Sequence, residues 1–210
     1  MARKKTDPEP PPARRDPFRL AAVPGATPGK WISRWREQRP FQPIELVHVE
    51  ARDQIAALRD GRADAVIARR PLTGDDLHAV DLYDEIPVVV AGADSHLAAA
   101  DELVPADLDG EILITPLDDV LGPLALPTAA PSFAPIERTE DAIATVASGV
   151  GILVVPMSLA RANQRRDVVT RPLVGGPLSS VVLAWLRDRD DDDVQALVGI
   201  TRGRTARSSR

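Results

Sequence analysis

Glu140-Asp141-Ala142-Ile143-Ala144-Thr145-Val146-Ala147-Ser148-Gly149-Val150-Gly151-Ile152-Leu153-Val154-Val155-Pro156 reads as a short helix, a glycine turn, a buried strand and a proline stop. Ile143, Val146 and Ala147 fall on one helical face, the spacing of an amphipathic helix. Gly149 stands where a left-handed C-cap is wanted. Ile152 to Val155 are apolar without a break, as a strand covered on both faces must be.

Outward from that stretch, strands and helices alternate. Phe18 to Val23 reads as a strand, turned by Pro24-Gly25-Ala26. Thr27 is placed to cap a helix with Pro28 at its first position. Trp31, Ile32 and Trp35 form the inner face of that helix. Ile44 to Val49 is a second strand, a helix around 52–60 turns Ile55 and Leu58 inward, and Asp64 to Ala68 is a third strand. This βαβαβ order calls for a parallel sheet with right-handed crossovers. Leu77 to Leu82, Glu85 to Val90, Glu111 to Ile114 and Val181 to Leu186 read as further extended runs. Asp191-Asp192-Asp193 opens a last helix, where acids suit the macrodipole.

The stretch from Glu140 to Pro156 resembles the "VaaGlGvallP" signature of the LysR-type substrate-binding (effector) domain. Asp94-Ser95-His96-Leu97-Ala98 and Pro105-Ala106-Asp107-Leu108 with the strand after it resemble two further segments of that family, with Ser95 where proline is usual. The resemblance runs from Phe18 to about Ile200. It implies an α/β, two-lobed, type 2 periplasmic-binding-protein-like fold, whose lobes have mostly parallel sheets flanked by helices. Lobe I is expected from 18–89 plus 178–201, and lobe II from 90–177. It also implies a small-molecule effector in the cleft and a homodimer. Two departures stand out. The first strand at Phe18 leaves no room for the family's N-terminal helix-turn-helix. The segment from Ile114 to Thr139 is short and rich in Pro and Ala, so lobe II is expected to be shortened.

Composition bounds the alternatives. The chain has 210 residues, no cysteine, 3% aromatic residues, 26 Lys+Arg and 31 Asp+Glu. Disulfides, thiol catalysis and thiolate metal sites are thereby excluded. Residues 18–201 carry a net charge of −11, the opposite of a nucleic-acid-binding core. Net positive charge is confined to the two ends, 1–17 and 202–210, which are expected to be disordered tails. Neither a secretory signal nor a bilayer-spanning run is present, so the expected location is cytoplasmic, without membrane contact.

In this fold a ligand lies between the lobes, against helix N-termini that favour anions. The candidate ligand-binding residues are Gly25, Ala26 and Thr27 before the first helix, Arg69 and Arg70 after the third strand, Thr115 after the lobe II strand, and Thr139 at a helix start. Arg is able to hold a carboxylate bidentately. The first group also reads simply as a cap and a tight turn, and the arginines as an exposed basic pair. The implied ligand is a small organic anion. His48, His78 and His96 lack metal-ligand spacing, no GxSxG elbow or P-loop occurs, and the run Asp190 to Asp193 points its acids apart. No cofactor, metal or catalytic residue is assigned. The favoured function is a stand-alone effector-binding protein with a regulatory role through a protein partner and no sequence-specific DNA binding. An enzyme on the same fold and a dimerisation module with a vestigial cleft remain as alternatives.

Overall fold

The computed structural model describes residues 16–203. The expected disordered tails fall almost wholly outside the described residues. Sheet one has five strands in the order β2-β1-β3-β8-β4: β1 Phe18–Ala22, β2 Ile44–His48, β3 Ala65–Arg69, β4 Leu77–Glu85 and β8 Ser179–Leu186. Sheet two has three strands in the order β6-β5-β7: β5 Pro87–Gly92, β6 Leu153–Pro156 and β7 Val168–Pro172. The architecture is α/β with two lobes, one per sheet.

Period-2 alternation builds lobe I. Phe18, Leu20, Ala22, Ala65, Ile67, Val181, Leu183 and Trp185 face α1 (Gly29–Gln38) and α5 (Asp192–Thr201). Ala21, Val23, Val66, Ala68, Val182 and Ala184 face the other way, toward the short helix α2 (Ala56–Arg59). Burial on both faces explains why these strands carry almost no polar residue. Of the expected inner face of α1, Ile32 and Trp35 are buried and Trp31 is partly so; Asp191 caps α5 by accepting from the backbone N–H of Asp193 and Val194. Trp35 is fully buried, 4.8 Å from the Phe18 ring, and donates its indole N–H to the Gln42 carbonyl at 2.9 Å. Arg39 lies over its face and pairs with Asp193.

Lobe II alternates in the same way. Val88, Val90, Leu153 and Val155 pack against α3 (Thr139–Ala147) and α4 (Met157–Ala162). Val89, Ala91, Ile152 and Val154 face Leu97, Leu103 and Leu108 from 3-10 turns and loops. Ala142, Ile143 and Val146 are the buried face of α3, while Ala147 is half-exposed. Gly149 follows with φ +83°, the left-handed conformation that ends the helix.

Several expectations need correction. Among the strands, parallel pairing is confined to β1 with β2 and β1 with β3. β8 lies antiparallel between β3 and β4, and sheet two is antiparallel throughout. The cause in sheet two is connectivity: β5 sits centrally, and the strands on both sides of it run back toward its start at Pro87. The lobe boundary expected at 89/90 falls inside β5. The sheets change at Ile86, because Val88 to Val90 already alternate between the two faces of lobe II. The expected strand from Glu111 to Ile114 is reduced to bridges: Ile112 to Ala129, and Leu113 to Ile152. The helix around 52–60 breaks into a 3-10 turn at Ala51–Asp53 and the single-turn α2. Helix α4 and strand β7 were not anticipated; half-buried, mixed-polarity residues give β7 no clean alternation.

Candidate functional site

The two lobes meet where β3 and β4 end and β8 begins, beside the turn leading to α1, with α4 beginning on the other side. Alternation along β3 puts Arg69 on the same face as Ala65 and Ile67, beneath that turn. Arg70 falls on the opposite face. The consequences differ sharply. Arg69 is 2% exposed, whereas Arg70 is exposed and holds Asp81 at 2.8 Å on the surface of sheet one.

Arg69 is a hub. One terminal nitrogen donates to Ser179 Oγ at 2.7 Å and lies 2.8 Å from Glu85 Oε2. The other donates to the Pro24 carbonyl at 3.3 Å and to Ser158 Oγ at 3.2 Å. Ser158 in turn donates its hydroxyl to Glu85 at 2.9 Å. A buried guanidinium requires such a partner set, since an unpaired buried charge is strongly unfavourable. Its Nε is buried and has no partner among the described residues. Gln54 holds the backbone of Arg69 at both ends, donating to its carbonyl at 3.0 Å and accepting from its N–H at 2.9 Å.

The turn before α1 presses onto this hub. Gly25 has φ +81°, and a Cβ there would stand 2.4 Å from Ser158 Oγ and 2.9 Å from the Arg69 guanidinium. Only glycine fits the conformation and the space. Thr27 is exposed and makes no cap: Pro28 is already helical, and its carbonyl accepts from Trp31 and Ile32. Half-buried Tyr83, on β4, faces the Thr27 backbone. Desolvation first, and then the Glu85 charge, push its phenol above the ordinary range, against the opposing pull of Arg69 and the Thr27 amide.

A hollow of about 410 Å³ opens beside the turn at the carboxyl ends of β1 and β2, lined by Pro24, His48, Glu50, Asp53 and Arg62 among others. Strand ends of this kind are where open α/β sheets take ligands. Its wall carries both signs of charge. Another hollow of about 410 Å³, in lobe II, is lined by Thr115 with Leu113, Leu124, Leu126 and Phe133 and is mainly apolar. Thr139 is buried and donates to Asp118 at 2.8 Å.

Of the seven candidate residues, the structure brings Gly25 and Arg69 into contact, with Ala26 and Thr27 continuing the same turn. Arg70 and Thr139 have partners elsewhere, and Thr115 opens onto a separate hollow. Glu85, Ser158, Ser179, Gln54 and Tyr83 complete the junction and were not named from sequence. None of the five declares itself locally, because each is defined by contacts between segments that are separate in the sequence. Among the described residues no His, Asp and Glu cluster is arranged to hold a metal, and no helix is long and apolar enough to cross a membrane.

Known proteins bear directly on this architecture. The effector-binding domain of BenM, described with its effector benzoate, superposes with a TM-score of 0.74 at 21% identity, over 91% of this chain and 92% of that one. The reduced OxyR regulatory domain from Pseudomonas aeruginosa superposes with a TM-score of 0.70 at 23% identity, over 89% and 93%. In sequence, the chain is 28% identical over 189 residues to the Hca operon transcriptional activator HcaR of Escherichia coli K12, covering 84% of this chain and 63% of that protein. It is 30% identical over 142 residues to the transcriptional regulator MetR of the same organism, 65% of this chain and 45% of MetR. The chain thus spans less than two thirds of these relatives. Residues 13–206 match the LysR substrate binding domain, and the chain belongs to that family.

Proposed function

We propose that this chain is a non-catalytic effector sensor that takes a small organic anion where the two lobes meet, and that it acts on transcription through a homodimer and a protein partner. The observation that carries the reading is the junction itself. The turn at Gly25 to Thr27, the start of α1 and the Arg69 hub converge on the face that each lobe turns toward the other. α1 is a ten-residue helix with no acid in its first turn, so its exposed start favours negative charge. Benzoate, the effector named for the similar BenM domain, is a carboxylate. Glu85 already neutralises Arg69, so the anion relies first on the Thr27 hydroxyl and the α1 amides, with Arg69 as an inner counter-charge. The net charge of −11 over residues 18–201 argues against direct, sequence-specific DNA contact. A cytoplasmic location accords with this role.

The test is a thermal-shift and native mass-spectrometry screen against small carboxylates, benzoate included. A carboxylate that binds should lose affinity by roughly ten- to hundredfold in Thr27→Ala, the scale of one charge-assisted hydrogen bond. A ligand whose affinity is unchanged in both Thr27→Ala and Arg69→Ala would move the site elsewhere. A screen in which only cations or uncharged molecules bind would overturn the anion.

A further inference from the structure

The four groups bonded to the Arg69 guanidinium are not equivalent in the architecture. Pro24 belongs to the turn after β1, Glu85 to the end of β4, and Ser179 to the start of β8, all attached to sheet one. Ser158 alone belongs to lobe II, as the second residue of α4, whose Leu159 and Ala160 are anchored in the lobe II core. Its hydroxyl is used twice, donating to Glu85 at 2.9 Å and accepting from Arg69 at 3.2 Å. It therefore bridges both members of the buried ion pair. We propose that Ser158 is the strike plate of a polar latch, in which the Arg69–Glu85 pair of lobe I holds lobe II in the closed position.

Three features support a latch rather than an incidental contact. The pair is buried, with side chains 1% and 12% exposed, so bonds to it are weakly screened by solvent. The backbone of Arg69 is immobilised by both ends of the Gln54 carboxamide, so the guanidinium is presented from a fixed point. Gly25 leaves space for the Ser158 hydroxyl to reach the pair, and a side chain at that position would collide with both that hydroxyl and the guanidinium.

The chain contains no cysteine, so two introduced cysteines carry spin labels without background. Arg36→Cys on α1 and Ala144→Cys on α3 place labels at exposed positions, one on each lobe. Electron–electron distance measurements on the full chain should give a longer, broader distribution when Ser158→Ala is added. Ser179→Ala removes a hydrogen bond from the same guanidinium but entirely within lobe I. It should leave the distribution unchanged, which separates latching from general loosening. Gly25→Ala should shift the distribution in the same direction as Ser158→Ala. An unaltered distribution in Ser158→Ala, or an equal shift in Ser179→Ala, would overturn the latch. Far-UV circular dichroism on each variant identifies any that fails to fold; should Gly25→Ala do so, the Ser158 and Ser179 pair decides the matter alone.

Discussion

Lobe I and lobe II use the same period-2 strands but cover them differently. In lobe I both faces are closed by elements that follow from their own sequences: α1 and α5 on one side, the turn at 51–53 and α2 on the other. In lobe II one face is closed by α3 and α4, and the other by Leu97, Leu103, Leu108 and the stretch from Leu113 to Leu126. That second face has no long helix. The Pro-rich segment is tied down instead by backbone bonds. Ile114 donates to Ile152 and Ile152 to Ile112, both at 2.8 Å, while Leu113 donates to Ala129 at 3.0 Å and Ala129 to Glu111 at 2.8 Å. The difference teaches that apolar cover does not require regular structure if the backbone polar groups find partners in some other way.

The largest effect should come from the centre of lobe I. Trp35→Ala removes a fully buried ring, its contact with Phe18 and the seat of Arg39. It should cost about 3–5 kcal/mol in urea unfolding, enough to threaten the fold. Next, Gly151→Ala attacks the sewn side of lobe II. Gly151 has φ +71°, and a Cβ would lie 2.3 Å from the Ile112 carbonyl oxygen that accepts from Ile152. A loss of about 2–3 kcal/mol is expected from the strained backbone alone. Amide exchange should accelerate at Ile114 and Ile152 while β1 and β3 stay protected. Equal acceleration in both lobes would mean that they do not differ in how local their cover is.

A smaller effect should appear with pH. Asp119 accepts from the Leu121 and Gly122 amides at 3.2 and 2.7 Å, yet burial raises its carboxyl pKa more than those bonds lower it. A carboxyl raised in the folded state contributes stability below its unfolded value, near 3.9, and loses it as pH climbs through the folded value. Asp119→Asn should therefore stabilise the protein at neutral pH and flatten the decline just above pH 4. If it destabilises at pH 7, the amide contacts outweigh burial. The smallest change should be Phe133→Ala, on the rim of the apolar lobe II hollow at 38% exposure. About 0.5 kcal/mol or less is expected, typical of surface positions.

The same contrast explains what could be read from the sequence. Strands β1, β2, β3 and β8, helix α3 and the capped start of α5 were legible because each declares itself locally, through alternation, a 3.6-residue period or an end signal. The coverage of lobe II was not, since a bridge such as Ile112 to Ala129 depends on two segments that carry no pattern of their own. Half of the junction was legible for the same reason. Gly25 and Arg69 sit at the ends of recognisable strands. Ser158, Glu85 and Gln54 become informative only when distant segments meet, with separations of 89, 16 and 15 residues from Arg69. Thr27 looked like a cap because the residue types were right, but Pro28 entered the helix without needing it.

The two bonds between Gln54 and the Arg69 backbone act as a rigid bracket. A single hydrogen bond would let the two segments pivot; a matched donor and acceptor on one planar amide fix both spacing and tilt. The turn at 51–53 that precedes Gln54 contributes Asp53 to the mixed-charge hollow of lobe I. The wall of that hollow and the backbone of the arginine are thus joined by one short, doubly bonded link. Gln54→Ala would cut that connection without removing any group that lines the hollow or bonds to the guanidinium.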